Sequence, residues 1–261
     1  DNVQGNIAFE NVTFKYKNES NNAVDELRIN IRPGEKVGIL GRIGSGKSTM
    51  LKLASGLYDT EKGNVTLDGV DMRQLDPNFL RNQVLLFSQS PRLFLGTLRE
   101  NMDLARTDSY STDQDLLTAL KRFGLDQIIR NHPRGLDMPL GEDGLGLSGG
   151  QKQIIALARM TLRDPKVVLL DEPTTSLDQG TERMALNAIA HWGRNGTMLL
   201  VTHRPQVLQI VNRIIVMENG KVVMDGPRDL VLQKLMQNEQ NKVKAAQQAQ
   251  ENQRPGEAAQ A

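Results

Sequence analysis

One stretch constrains this chain more than any other: Gly41-Arg42-Ile43-Gly44-Ser45-Gly46-Lys47-Ser48-Thr49. Gly41, Gly46, Lys47 and Ser48 stand at the fixed places of the pattern G-x-x-x-x-G-K-[ST]. The surroundings fit. Glu35-Lys36-Val37-Gly38-Ile39-Leu40 ahead of it suits a short apolar strand, and Thr49-Met50-Leu51-Lys52-Leu53-Ala54 behind it has helical apolar spacing. Strand, glycine loop and helix is the arrangement that cradles phosphate. Glycines let the backbone aim its N–H groups at phosphate oxygens, and the helix N-terminus adds partial positive charge. Lys47 is expected to reach β- and γ-phosphates, and Ser48 to ligate Mg²⁺. Gly44, Ser45 and Thr49 complete the cradle. The alternative is a chance glycine-rich turn, and the rest of the chain has to decide.

The 261 residues suffice for one large domain or two small ones. The net charge of +1 suggests neither nucleic acid nor an acidic partner. Cysteine is absent, which excludes disulfides and cysteine metal sites and suits a reducing compartment. No apolar run approaches the roughly 18 residues of a membrane span, and no signal peptide opens the chain. The first residue is Asp1 rather than Met, which reads as an excised or processed piece of something longer.

In order along the chain, Ile7 and Phe9 alternate, as do Val12 and Phe14, with a slip at Glu10-Asn11 that marks a bulge or a break. Leu27, Ile29 and Ile31 alternate likewise, so an antiparallel ribbon is expected to lead into the phosphate strand. Tyr16 closes the first segment. It reads either as an edge aromatic or as a stacking platform for adenine, where stacking is worth about 1–3 kcal/mol. Gly63 to Asp68 forms a strand closed by the Asp68-Gly69 turn. Val84-Leu85-Leu86-Phe87 reads as a strand buried on both faces, followed by Gln89 at its carboxyl end, where ligands of open α/β sheets gather. Residues 97 to 163 look mostly helical. Ser148 can cap the helix after Leu147-Ser148-Gly149-Gly150-Gln151, leaving a second anion-binding end or an ordinary glycine-rich cap. Val167-Val168-Leu169-Leu170 is an apolar strand ending in Asp171 and Glu172. One acid there can hold Mg²⁺ and the next can deprotonate a water. Thr197 to Thr202 is another buried strand, with His203 at its end. Asn219-Gly220 joins a hairpin. From about Asn238 the chain is polar and is expected to be a frayed helix or a flexible tail.

Taken together, the ordered set resembles the nucleotide-binding domain of ABC transporters over about residues 5 to 236. It consists of the phosphate loop Gly41–Thr49, Gln89, the signature Leu147-Ser148-Gly149-Gly150-Gln151, the acids Asp171-Glu172, Ser176-Leu177-Asp178 and His203. The resemblance implies an α/β fold, a P-loop NTPase core with an antiparallel β subdomain and an inserted helical subdomain at about 92–163, the whole domain covering 1–237. It implies ATP and Mg²⁺ as cofactors. By the same resemblance Tyr16 stacks on adenine, and Lys47 and the loop backbone hold phosphates. Ser48 and Gln89 bind Mg²⁺ with Asp171 behind a water, Glu172 is the general base, and His203 contacts the γ-phosphate. Ser148, Gly149, Gly150 and Gln151 face ATP held by a second copy, with Asp178 at the seam. Two copies then pack head to tail with ATP between them, and the Gln89 region touches a membrane domain that this segment lacks.

Phe94-Leu95-Gly96-Thr97-Leu98-Arg99-Glu100-Asn101 and Gly141-Glu142-Asp143-Gly144 before the signature look like exporters. Gly41-Arg42-Ile43-Gly44 and Thr202-His203-Arg204-Pro205 look most like bacterial type I secretion ATPases. That resemblance implies an exported polypeptide and a place on the cytoplasmic face of a bacterial inner membrane. A soluble cassette acting on DNA or ribosomes usually carries a long heptad run or a second cassette, and neither is present. A purely regulatory cassette is disfavoured by the intact Lys47, Glu172 and His203.

Overall fold

The computed structural model of the chain describes residues 2–105 and 112–252. Part of the expected helical block, 106–111, and the end of the polar tail, 253–261, lie outside the described residues. The strands are β1 (Ile7–Phe14), β2 (Val24–Ile31), β3 (Lys36–Gly41), β4 (Lys62–Leu67), β5 (Val70–Asp71), β6 (Val84–Phe87), β7 (Gly96–Thr97), β8 (Pro139–Leu140), β9 (Val167–Asp171), β10 (Thr197–Val201), β11 (Arg213–Glu218) and β12 (Lys221–Pro227). The helices are α1 (Lys47–Ala54), α2 (Pro77–Gln83), α3 (Leu98–Asp103), α4 (Asp113–Arg122), α5 (Asp126–Asn131), α6 (Gly149–Met160), α7 (Gln179–Trp192) and α8 (Arg228–Asn252).

Alternation builds the first sheet. β1 pairs antiparallel with β2, with Ile7 opposite Ile31 and Phe9 opposite Ile29, and on its other side with β4. The slip at Glu10-Asn11 is a bulge: the register shifts between Phe9 and Val12, and Asn11 has φ 56°. The sheet order is β2-β1-β4-β5, and the ribbon packs as a layer of its own.

The second sheet has the order β12-β11-β3-β10-β9-β6. β11, β3, β10, β9 and β6 run parallel, and β12 returns antiparallel through the Asn219-Gly220 turn, whose φ angles are 48° and 77°. Its middle strands are apolar throughout because both faces are covered. Along β9 and β10, Val168, Leu170, Met198 and Leu200 pack on the helical side with α4, α6 and α7. Val167, Leu169, Leu199 and Val201 pack on the opposite side with α1 and the antiparallel sheet. Val84–Phe87, expected to be buried on both faces, is the edge strand: Phe87 is buried in the core on one face and Val84 in the core on the other, while Leu85 and Leu86 are half-buried. Leu85, Leu86 and Phe87 also line a groove with Pro91, Phe94 and Leu104.

The helical block comprises α3, α4, α5 and α6. In α4, Leu116 and Leu120 are buried while Leu117 faces out. The polar stretch from Asn238 continues α8 as far as Asn252, beyond the turns where Val231, Leu232 and Leu235 meet the core. Among the described residues no helix is long and apolar enough to cross a membrane.

Candidate functional site

Parallel strands put their carboxyl ends on one edge of the sheet, where βα loops can converge. β3, β10 and β9 are neighbours there. The phosphate loop follows β3, Glu172 follows β9, and His203 lies just past β10. Gln89 follows β6, the next strand out, and is exposed.

The phosphate loop needs its glycines. A Cβ on Gly41 would lie 2.3 Å from the Met217 carbonyl oxygen, and one on Gly46 would lie 2.3 Å from that of Ala23. Gly46 also has φ 98°, a conformation that side chains disfavour. α1 then begins at Lys47 with no side-chain cap, so its first N–H groups point into the loop unclaimed by a cap. The Lys47 ammonium donates to the carbonyls of Gly41 and Arg42, both at 2.8 Å, and at 3.4 Å to Ser45 Oγ. Burial lowers its pKa, against the pull of Glu172 and Asp171. The ammonium therefore sits within the loop that curls around it, beside two acids.

Asp171 ends β9 and is buried. Burial raises its pKa, partly opposed by a hydrogen bond from Ser48, while Glu172 pushes in the same direction as burial. Its Oδ1 has no hydrogen-bond partner. A buried carboxylate oxygen without a donor, next to a serine hydroxyl at a helix start, is the donor set a hard cation takes. Ser48 and Asp171 therefore fit Mg²⁺. Gln89 is placed one strand away on an exposed loop.

Glu172 is held differently. Its backbone has φ 50°, rare for a side-chain-bearing residue. The Glu172 N–H donates to Val201 O at 2.9 Å. Its Oε1 lies 2.9 Å from His203 Nδ1, and its Oε2 accepts from the Thr175 hydroxyl at 3.2 Å. The Glu172 side chain is 12% exposed and that of His203 is 66% exposed. A fixed carboxylate and an open imidazole thus meet at the carboxyl ends of β9 and β10.

Ser148 caps α6. Its Oγ accepts from the Gln151 N–H at 3.2 Å, and Gln151 Oε1 accepts from the Ser148 N–H at 2.8 Å. Gln151 is therefore spent on the cap. Gly149 and Gly150 lie bare in the first turn, close to Ser176. α1 residues pack in the core on one face of the parallel sheet and α6 residues in the core on the other, so the two helix starts belong to different layers. Asp178, read as a seam residue, caps α7 by accepting from the N–H groups of Gly180 and Thr181, each at 3.0 Å. Tyr16 sits edge-on to Phe14 and Tyr58, with ring centroids 5.0 and 5.7 Å away, and its hydroxyl lies 3.1 Å from Thr49 Oγ1. The ring is tethered to the first turn of α1.

Further contacts beside these residues were not assigned a role from the sequence. Buried Glu182 accepts from Arg204 Nη1 and from the Thr174 hydroxyl, both at 2.7 Å. Arg204 also donates to the carbonyls of Leu177 and Thr175, at 3.3 Å each. It thereby ties the His203 loop to the loop that follows Glu172. Gln153 bridges α6 to that same loop. Its signal was present in the sequence: it falls in phase with the apolar Leu157 and Met160, where a polar side chain has to find partners.

Comparison with known proteins gives the family of the chain. The family model described as ABC transporter matches residues 24–175. The ATP-dependent lipid A-core flippase of Neisseria gonorrhoeae (strain ATCC 700825 / FA 1090) is 38% identical over 230 residues, 88% of this chain and 37% of that protein. The protein of the same name from Escherichia coli (strain K12) is 38% identical over 229 residues, 88% of this chain and 39% of that one. The solved structure of a bacterial Atm1-family ABC exporter with ATP bound superposes with a TM-score of 0.83 at 28% identity, covering 88% of this chain and 40% of that chain. The chain thus spans less than half the length of these relatives.

Proposed function

The chain belongs to the ABC transporter family as an exporter-type nucleotide-binding domain, and on that premise we propose that it is the ATP-hydrolysing motor of a bacterial membrane exporter. The observation that carries this is the strand-end cluster, in which Lys47, Ser48, Asp171, Glu172 and His203 converge.

In this reading Lys47 exchanges its loop carbonyls for the β- and γ-phosphate oxygens. Ser48 and Asp171 hold Mg²⁺, which supplies charge neutralisation on the phosphates. Gln89 reaches in from the edge strand, where the groove lined by Leu85, Pro91, Phe94 and Leu104 offers a membrane domain somewhere to rest. Glu172, steadied by Thr175 and His203, takes a proton from the attacking water, and the exposed His203 imidazole meets the γ-phosphate. Tyr16 stacks on adenine. The open ends of α1 and α6 lie in different layers, so a second copy completes each site. ATP, bound by the phosphate loop of one copy, is covered by Ser148, Gly149 and Gly150 of the other, with Asp178 at the seam. ATP binding closes the pair and hydrolysis reopens it. The motor sits at the cytoplasmic face of the inner membrane.

For the cargo, the polypeptide reading rests on Gly41-Arg42-Ile43-Gly44 and Thr202-His203-Arg204-Pro205. The relatives named as lipid A-core flippases favour a lipid as the second reading. Stimulation of ATP turnover of the longer protein in nanodiscs, by unfolded polypeptide or by lipid A, decides between them.

The motor itself is tested by ATP turnover against protein concentration, beside Glu172→Gln. Specific activity should rise with concentration in the presence of Mg²⁺. The variant should bind ATP, accumulate as a dimer, and lose about 10²-fold or more in kcat, the scale of general-base catalysis. Unchanged turnover in the variant would remove Glu172 from the mechanism.

A further inference from the structure

Gln153 lies just over one turn into α6 from Ser148 and is only 2% exposed. A buried amide has to satisfy both its donor and its acceptor. Gln153 Nε2 donates to the Glu172 carbonyl at 3.2 Å, and its Oε1 accepts from the Ser176 N–H at 2.9 Å. Both contacts land on the loop that aims the proposed base.

The first contact matters because of the backbone it meets. With φ 50°, Glu172 holds a conformation that surrounding structure has to over-determine. Its N–H is fixed by Val201, and its carbonyl by Gln153. The direction of the carboxylate follows from that backbone. The second contact fixes Ser176, the residue after the Thr175 whose hydroxyl bonds Glu172 Oε2. Ser176 is also what Gly150 packs against: a Cβ added there would lie 3.0 Å from the Ser176 carbonyl oxygen. One side chain therefore joins the end of α6 that carries Ser148 to the backbone and the support of Glu172, with no gap in the chain of contacts.

We propose that Gln153 is a positioning residue through which the seating of the partner copy's γ-phosphate at Ser148 sets Glu172 in its own subunit. The inference rests on the shared-site reading above. Each site's base then responds to the ATP that its subunit covers across the seam, and the two sites become coupled.

The test compares wild type with Gln153→Met, which keeps the volume and removes both hydrogen bonds. A second variant, Gln153→Glu, keeps the acceptor toward Ser176 and loses the donor toward Glu172. For each, turnover is followed against ATP concentration and melting temperature is recorded. The ATP-dependent dimer is then measured with Glu172→Gln added. Wild-type turnover should rise sigmoidally with ATP. Both variants should lose about tenfold in kcat, the size of effect of a lost positioning contact. Their curves should become hyperbolic, with KM and the trapped dimer within about twofold of wild type. Unaltered kcat or unaltered cooperativity in a folded variant overturns the proposal. So does a fall in kcat that comes with loss of the trapped dimer, because a general weakening of α6 would do that. If Glu172→Gln alone traps no ATP-dependent dimer, the shared-site reading itself fails, and that outcome is recognised without touching Gln153.

Discussion

Asp178 at the head of α7 accepts from the Thr181 hydroxyl at 2.6 Å and from the Thr181 and Gly180 N–H groups. These bonds, the Thr181 hydroxyl foremost, hold its carboxyl below the ordinary value of 3.8. The sign follows directly. A carboxylate whose folded pKa is depressed contributes stability in full above its unfolded pKa, and loses it as pH falls through the folded one. Asp178→Asn keeps an oxygen for the cap and gives up the charge. The stability gap between wild type and this variant should therefore shrink as pH drops from about 5 to below the unfolded value. Urea unfolding at stepped pH measures it, and a gap independent of pH would show that the charge adds nothing to the cap. Reading residues one at a time stops at contacts between loops. The motif residues Lys47, Ser48, Asp171, Glu172 and His203 were legible because phosphate chemistry demands those types at those spacings. The partners of Gln153 depend on which loop meets which; its place among the apolar residues of α6 signals only that it has to find partners, not where they lie.

At the scale of elements, the ion pair between Arg204 and Glu182 joins two loops to one helix. Glu182 sits on the inner face of α7 with its side chain 5% exposed, and Arg204 leaves the loop after β10 with 29% exposed. Removing one member of a buried pair costs more than the pair contributes, because the other charge stays behind. Arg204→Ala leaves Glu182 with the Thr174 hydroxyl and should cost about 2–4 kcal/mol, reduced from the fully buried case by the partial exposure of the guanidinium. Pairing Arg204→Met with Glu182→Leu should recover part of that loss, since apolar replacement of a buried pair is often tolerated. Denaturant unfolding gives both numbers, and a loss under about 0.5 kcal/mol in the single variant would class the contact with ordinary surface pairs. Elements were legible in the sequence to the degree that one rule governed them. Alternation found β1, β2 and β4, and Asn219-Gly220 found the hairpin. The order of parallel strands was not legible, because an apolar run reads alike at the centre and at the edge. Val84–Phe87 belongs at the edge since β9 takes one side and, among the described residues, no strand takes the other.

For the molecule as a whole, the decisive geometry is the separation of the two open helix ends. α1 offers N–H groups beside Lys47 in one layer, and α6 offers them beside Gly149 in another. If each ATP lies between one end from each of two copies, then a site is assembled from halves, and two broken copies can repair one another. Lys47→Ala damages the half that follows β3, and Ser148→Arg blocks the half at α6. Each variant alone forms only dimers in which both sites carry a damaged half. In a mixed dimer, both lesions fall on one site and the other site is made of two intact halves. Equal amounts pairing at random place about half of all chains in mixed dimers, each with one whole site of two. Turnover should then rise from near nothing in either pure sample to at most about a quarter of wild type on mixing. Wild-type cooperativity between sites pulls the figure lower, because closure then uses a single ATP. The gain should saturate with protein concentration, which separates complementation from a simple sum of residual activities. A mixture no more active than the mean of its parents would mean that each copy completes its own site, and the sharing of ATP across two copies would have to be abandoned.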